Sequence, residues 1–99
     1  MSQPKSTVIV RHNEASQRFE AVINGLLCHA DYRMQGEIMA MVHTEVPEAL
    51  EGRGIAAQLV RAAIEYARSK GLKIAAYCTY VRSYVRRHPE THDVVVPGA

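Results

Sequence analysis

Two glycines one residue apart, Gly52 and Gly54, lie between an apolar run that ends at Val46 and an amphipathic stretch that begins at Ile55. Glycine lets backbone N–H groups come close to a ligand, and a helix N-terminus favours negative charge. Glu51-Gly52-Arg53-Gly54-Ile55-Ala56 therefore predicts a phosphate or pyrophosphate site. His43 and Glu45 stand two apart just upstream. On a strand their side chains point the same way, about 7 Å apart, and either could serve as a base. Cys78 is either a small buried hydrophobe or a thiol nucleophile. The remaining histidines, His12, His29, His88 and His92, have no metal-ligand spacing, and no Cys/His cluster exists, so no metal is expected.

Gly52 to Ala57 formally fits the dinucleotide pattern G-x-G-x-x-G/A. That fingerprint must follow its strand directly and needs an acidic residue about 20 positions on, at the end of the next strand. Here Pro47 to Glu51 intervene, and the next strand ends Ala76-Tyr77-Cys78 without a carboxylate. A P-loop is excluded because no Gly-Lys-Ser/Thr follows. An ordinary strand-to-helix turn that uses glycine for its geometry is the other reading of the loop.

The elements that must position these residues follow from pattern. Thr7 to His12 is rich in β-branched residues, and Arg18 to Ile23 alternates polar and apolar, so both read as strands. Asn24-Gly25 is a type I′ hairpin signal, with Leu26 to Arg33 as the return strand. After Gln35-Gly36, the run Glu37 to Val46 is apolar on both faces for most of its length, which suggests a central strand. The period then changes. Ile55, Ala56, Leu59, Val60, Ala63, Ile64 and Ala67 repeat at helical steps, and Gly71 closes the helix. Lys73 to Cys78 is a short strand, expected parallel to 37–46 as in most strand–helix–strand units. Residues 80–88 form a last helix, stopped by Pro89. The fold class is α/β (α+β) in the order ββββαβα: one domain over 6–95, with 1–5 and 96–99 as loose ends.

Composition narrows the function classes. The chain has 99 residues, 47% hydrophobic and 22% charged, which suits one small globular domain. A net charge of +2 gives no push toward nucleic acid, although Arg82, Arg86, Arg87 and His88 form a local basic cluster. That cluster is either a solvated helix face or a contact for a ligand phosphate. Two distant cysteines make no disulfide framework, no apolar run reaches the ~18–20 residues of a membrane span, and the N-terminus has no signal-peptide pattern. A reducing, cytoplasmic setting is the default expectation, without nucleic-acid or membrane partners, and the chain is expected to be a monomer or a weak dimer.

A strand ending in Val46-Pro47, then x-x-Gly-x-Gly-x-Ala, then an Ala-rich amphipathic helix resembles motif A of the GCN5-related N-acetyltransferases (GNAT). His43-Thr44-Glu45-Val46-Pro47, the glycine loop, Gly71-Leu72-Lys73, Cys78, Tyr84 and His88-Pro89-Glu90 occur in order from about residue 12 to 93. Together they are similar to a very short branch of that superfamily, of about 90–100 residues. Glu51 stands where the pattern has Gln or Arg, and it sets a negative charge near a negative ligand. Thr79-Tyr80 and Thr91 stand where that branch more often has Pro-Phe and Tyr.

The resemblance implies a GNAT-like domain that binds acetyl-coenzyme A. The amides of Glu51, Gly52, Arg53, Gly54, Ile55 and Ala56 would wrap its pyrophosphate, with Arg87 as a further phosphate contact. A backbone N–H near Val46 would polarise the thioester carbonyl. His43 or Glu45 would deprotonate an amine acceptor whose identity is open, and Tyr84 would protonate the departing thiolate. Cys78 would take the acetyl group first only if His43 lies close enough to activate it. Proteins of this short kind lack the helical segment that helps build the acceptor site, so that side should be open. The alternative is a non-catalytic coenzyme-A-binding or sensor module.

Overall fold

The computed structural model describes residues 8–97. Among these residues five strands form one sheet: β1 (Arg11–Asn13), β2 (Arg18–Ile23), β3 (Leu26–Gln35), β4 (Ile38–Glu45) and β5 (Lys73–Ala76), in the spatial order β1-β2-β3-β4-β5. The first four are antiparallel neighbours, and β5 runs parallel to β4. Asn24 (φ 53°) and Gly25 (φ 77°) are both left-handed, as a type I′ turn requires, and they set the Ile23↔Leu26 register.

The helix α1 (Ile55–Lys70) connects β4 to β5. Its buried stripe of Ile55, Leu59, Val60, Ala63, Ile64 and Ala67 lies over one face of the sheet. There it joins Phe19, Cys28, Ala30, Tyr32, Met39 and Met41 in the core. Gly71 (φ 71°) ends α1, and Leu72 N–H reaches back to the Ala67 carbonyl at 2.8 Å. A second helix, α2 (Thr79–Arg87), follows β5 and adds Val81 and Tyr84 to the same core. The opposite face of the sheet carries Arg18, Glu20, His29 and Asp31. Period two puts these on the other side from Phe19, Ala21, Cys28 and Ala30.

Several boundaries differ from the sequence expectation. The first strand begins at Arg11, because the chain before it leaves the sheet: Val8 N–H donates to Gln58 Oε1 on α1 at 3.1 Å. β5 stops at Ala76, since Tyr77 and Cys78 both direct their N–H to the Met41 carbonyl (3.1 and 2.9 Å). Cys78 thus caps α2 instead of ending a strand. Two 3-10 turns, Glu48–Leu50 and Pro89–Val94, carry no periodicity long enough to read. Val96 is not loose: it donates to the Ile74 carbonyl at 2.8 Å, beside a parallel bridge from Val95 to Ile74. Residues 1–7 and 98–99 lie outside the described residues, and with them the expected loose N-terminus and the start of the expected domain. Among the described residues no helix is long and apolar enough to cross a membrane.

Candidate functional site

The site begins where β4 and β5 part. Their register runs from Ile38↔Lys73 to Met41↔Ala76, and β4 then continues to Glu45 without a β5 partner. The break has a local cause. Against β3 the register shifts between Asp31 and Tyr32, so Val42 is an extra residue on β4. An extra residue of this kind bends its strand and sharpens its twist. A cleft of about 520 Å³ opens beside this segment. Thr44, Glu45 and Val46 form one wall, Leu50, Glu51, Gly52, Gly54, Ile55 and Ala56 the floor, and Tyr80 and Arg87 of α2 the other wall.

Gly52 (φ 82°) and Gly54 (φ 74°) are both left-handed, and a Cβ built on either would meet open space. Glycine is therefore needed here for backbone conformation and not to avoid a clash. Gly54 is the N-cap of α1 and supplies no side-chain cap. The first intrahelical bond runs from Gln58 N–H to the Gly54 carbonyl. The amides of Ile55 and Ala56 at the cleft floor thus have no helical acceptor, at the positive end of a 16-residue dipole. Left-handed turns leading into an open helix N-terminus are an anion cradle.

The charges of the cleft are mixed. Arg87 offers a guanidinium, while Glu45 and Glu51 bring carboxylates. Burial pushes the Tyr80 phenol above its ordinary value, and Arg87 beside it pulls the other way. Glu45 is held below the ordinary carboxylate range, chiefly by its bond with His43 (Nε2···Oε1 3.1 Å) and also by the charge of His29. His43 belongs with Asp31, His29 and Glu45 on the helix-free face. The His29 and His43 rings are 6.0 Å apart, and His29 Nδ1 lies 2.8 Å from Asp31 Oδ1.

Of the sequence-predicted residues, Glu45, Val46, Glu51, Gly52, Gly54, Ile55, Ala56 and Arg87 come together in the cleft. Arg53 is exposed on the loop without lining it. Cys78 does not line the cleft either. Its sulfur lies 3.5 Å from the hydroxyl of Thr44, which does. The thiol route was conditional on His43 lying near Cys78, and β4 sets the two toward opposite faces. Thr44, opposite Ala30, faces the core side, and His43, opposite Asp31, faces away.

Tyr84 is not among the residues that line the cleft. It is 6% exposed, stacks on His88 at 4.1 Å and borders a different depression with Arg61, Ile64 and Glu65. Burial pushes its phenol up. The tyrosine at the cleft is Tyr80, which sequence reasoning passed over. Its signal was the seven-residue step to Arg87, which returns to the same helix face. His88-Pro89-Glu90 is a clamp: His88 Nδ1 lies 3.0 Å from Glu90 Oε2, and Arg68 of α1 bonds both the Glu90 carbonyl and Asp93.

A family model described as GCN5-related N-acetyl-transferase matches residues 18–94. The chain belongs to this family. Among similar proteins, Protein NATD1 of Xenopus tropicalis is 35% identical, with 87% of this chain and 82% of that protein covered. Protein NATD1 of Homo sapiens is 36% identical, with 81% and 74% covered. The solution structure of a GCN5-like protein from Staphylococcus aureus superposes with a TM-score of 0.73 at 26% identity, covering 92% of this chain and 90% of that one. The α+β mixed sheet is the GCN5-related fold, and the matched span takes in the bulge, the glycine loop and α2.

Proposed function

We propose that the chain binds acetyl-coenzyme A in the 520 Å³ cleft and transfers the acetyl group to an amine. The observation that carries this reading is the pair of left-handed glycines opening onto uncapped α1 amides, set where β4 parts from β5. The amides of Gly52 to Ala56 hold the pyrophosphate, with Arg53 and Arg87 as flanking cations. A backbone N–H near Val46, on the strand segment freed from β5, meets the thioester carbonyl. His43 donates Nε2–H to Glu45 and keeps Nδ1 as the acceptor for the amine's proton, so the pair works as base and orienter. The Tyr80 phenol, not Tyr84, delivers a proton to the departing thiolate. In this reading the amine attacks the donor directly, and Cys78 stays behind Thr44, outside the cleft lining.

Thermal melting with and without acetyl-coenzyme A tests the donor site. Stabilisation of about 2.7 kcal/mol is expected at 100 times the dissociation constant, and no shift at saturating ligand sinks the proposal. Release of free thiol in the presence of mixed primary amines then reads turnover. A second reading, a coenzyme-binding module without turnover, draws on the carboxylates Glu45 and Glu51 in the cleft and on the separation of His43 from Cys78. It predicts the melting shift without thiol release.

A further inference from the structure

The face of α2 turned away from the coenzyme cleft borders a second cavity, of about 470 Å³. Arg82 and Arg86 lie on it, about 200° and 240° around the helix from Tyr80 at roughly 100° per residue. The apolar wall is Val85 of α2 with Val95, Val96 and Pro97 of the C-terminal segment. This segment is held in place by the Val96 to Ile74 hydrogen bond, so the cavity has a built wall and not a loose flap.

The polar groups converge at one end. Arg82 Nε donates to the Ala76 carbonyl at 2.9 Å, which fixes its guanidinium at the cavity and leaves the Nη donors over. Arg86 is exposed and, among the described residues, has no hydrogen-bond or ion-pair partner. His92 Nε2 donates to the Val85 carbonyl at 3.0 Å. Among the described residues no carboxylate lines the cavity, and the acidic side chains nearest in sequence are engaged elsewhere: Glu90 with His88, Asp93 with Arg68. Two guanidinium groups with no acidic side chain among the described lining residues, beside an apolar wall of this size, match a ligand with an anionic head and a short apolar body. The planar fork of arginine suits a carboxylate, which it engages through paired donors.

We propose that this cavity is a binding site for an amphipathic monocarboxylate, its carboxylate between Arg82 and Arg86 and its alkyl chain along Val85, Val95 and Val96. The site is independent of the coenzyme cleft. The full chain titrated with octanoate and followed by amide and arginine-side-chain NMR gives the test. Saturable shifts are expected at Val85, Val95, Val96 and the Arg82 Nε–H, with Gly52 and Gly54 unmoved. Arg86→Gln should weaken octanoate about tenfold at an unchanged melting temperature, as expected for loss of a charge-assisted bond. Arg61→Gln, which removes the same charge from α1, should leave it unchanged. Octanamide should bind far more weakly than octanoate, and butanoate in between. Equal binding of octanamide and octanoate would leave only an apolar patch and overturn the proposal. So would equal losses in Arg61→Gln and Arg86→Gln, non-saturating shifts, or shifts centred on the glycine loop.

Discussion

The two faces of the sheet solve opposite problems. The face under α1 is dry: Leu59, Val60, Met39, Ile74 and Val81 are fully buried, and among the described residues no buried side-chain nitrogen or oxygen lacks a partner. The other face is wet and charged, with Arg18–Glu20, His29–Asp31 and His43–Glu45 paired across its surface. Stability should therefore reside on the first face and proton chemistry on the second. The two meet at the end of β4, where Thr44 looks inward and Glu45 outward while both line the same cleft. A strand with period two can present a buried wall and a titratable pair to one ligand only at its end, where the sheet stops separating its faces.

Substitutions can break or sharpen that division. On the wet face, His43→Gln should lower the rate of acetyl transfer by about 10²–10⁴-fold, the usual worth of a positioned base, while the melting temperature stays put. On the dry face, Leu59→Ala should cost about 2–5 kcal/mol in denaturant unfolding without altering the pH profile of any activity. Gly54→Ala, at the seam, should cost about 1–2 kcal/mol because a Cβ is strained at φ 74°, and it should also weaken coenzyme binding. Cys78→Ala should leave the transfer rate unchanged and no acetyl adduct detectable by mass spectrometry. A large rate loss would restore the thiol route. Glu20→Gln on the wet face should cost less than about 1 kcal/mol, because its pair with Arg18 is partly solvated.

His12 gives the division a pH axis. Its ring is stacked on Phe19 at 4.1 Å and edge-on to Tyr66 at 4.3 Å, and Nε2 meets the Tyr32 hydroxyl at 2.6 Å. Burial holds its pKa below the ordinary value, with Glu14 pulling slightly the other way. The folded state therefore binds this proton less readily than the unfolded chain does. Its contribution is complete above about pH 6.5 and is lost as pH falls toward the lowered folded value. Melting temperature should decline over that window, and less steeply in His12→Gln.

The sequence carried local instructions well and non-local ones poorly. Asn24-Gly25 named its own turn, and the stripe from Ile55 to Ala67 named its helix and its buried face. The glycine loop announced an anion site because the need for positive φ is written in the residue type. The extra residue Val42, which opens the cleft, was not legible: it exists only as a mismatch between β4 and β3. Nor was the assignment of Tyr80 and Tyr84. Their four-residue spacing places them close on one helix, and which of them reaches the cleft depends on how α2 leans against α1. The early end of β5 had the same origin, since one carbonyl of Met41 captures two successive amides.

The tie between the C-terminal segment and β5 has a consequence for behaviour in concentrated solution. Sheet edges recruit other chains when their amides and carbonyls stand free. Here Val95 and Val96 occupy part of the outer edge of β5, and the opposite edge is β1, only three residues long. Among the described residues, a five-stranded sheet with one charged, helix-free face is thereby left with little ribbon on which a neighbour could template, so a chain cut before Val95 should self-associate more than the intact chain when the two are compared by light scattering.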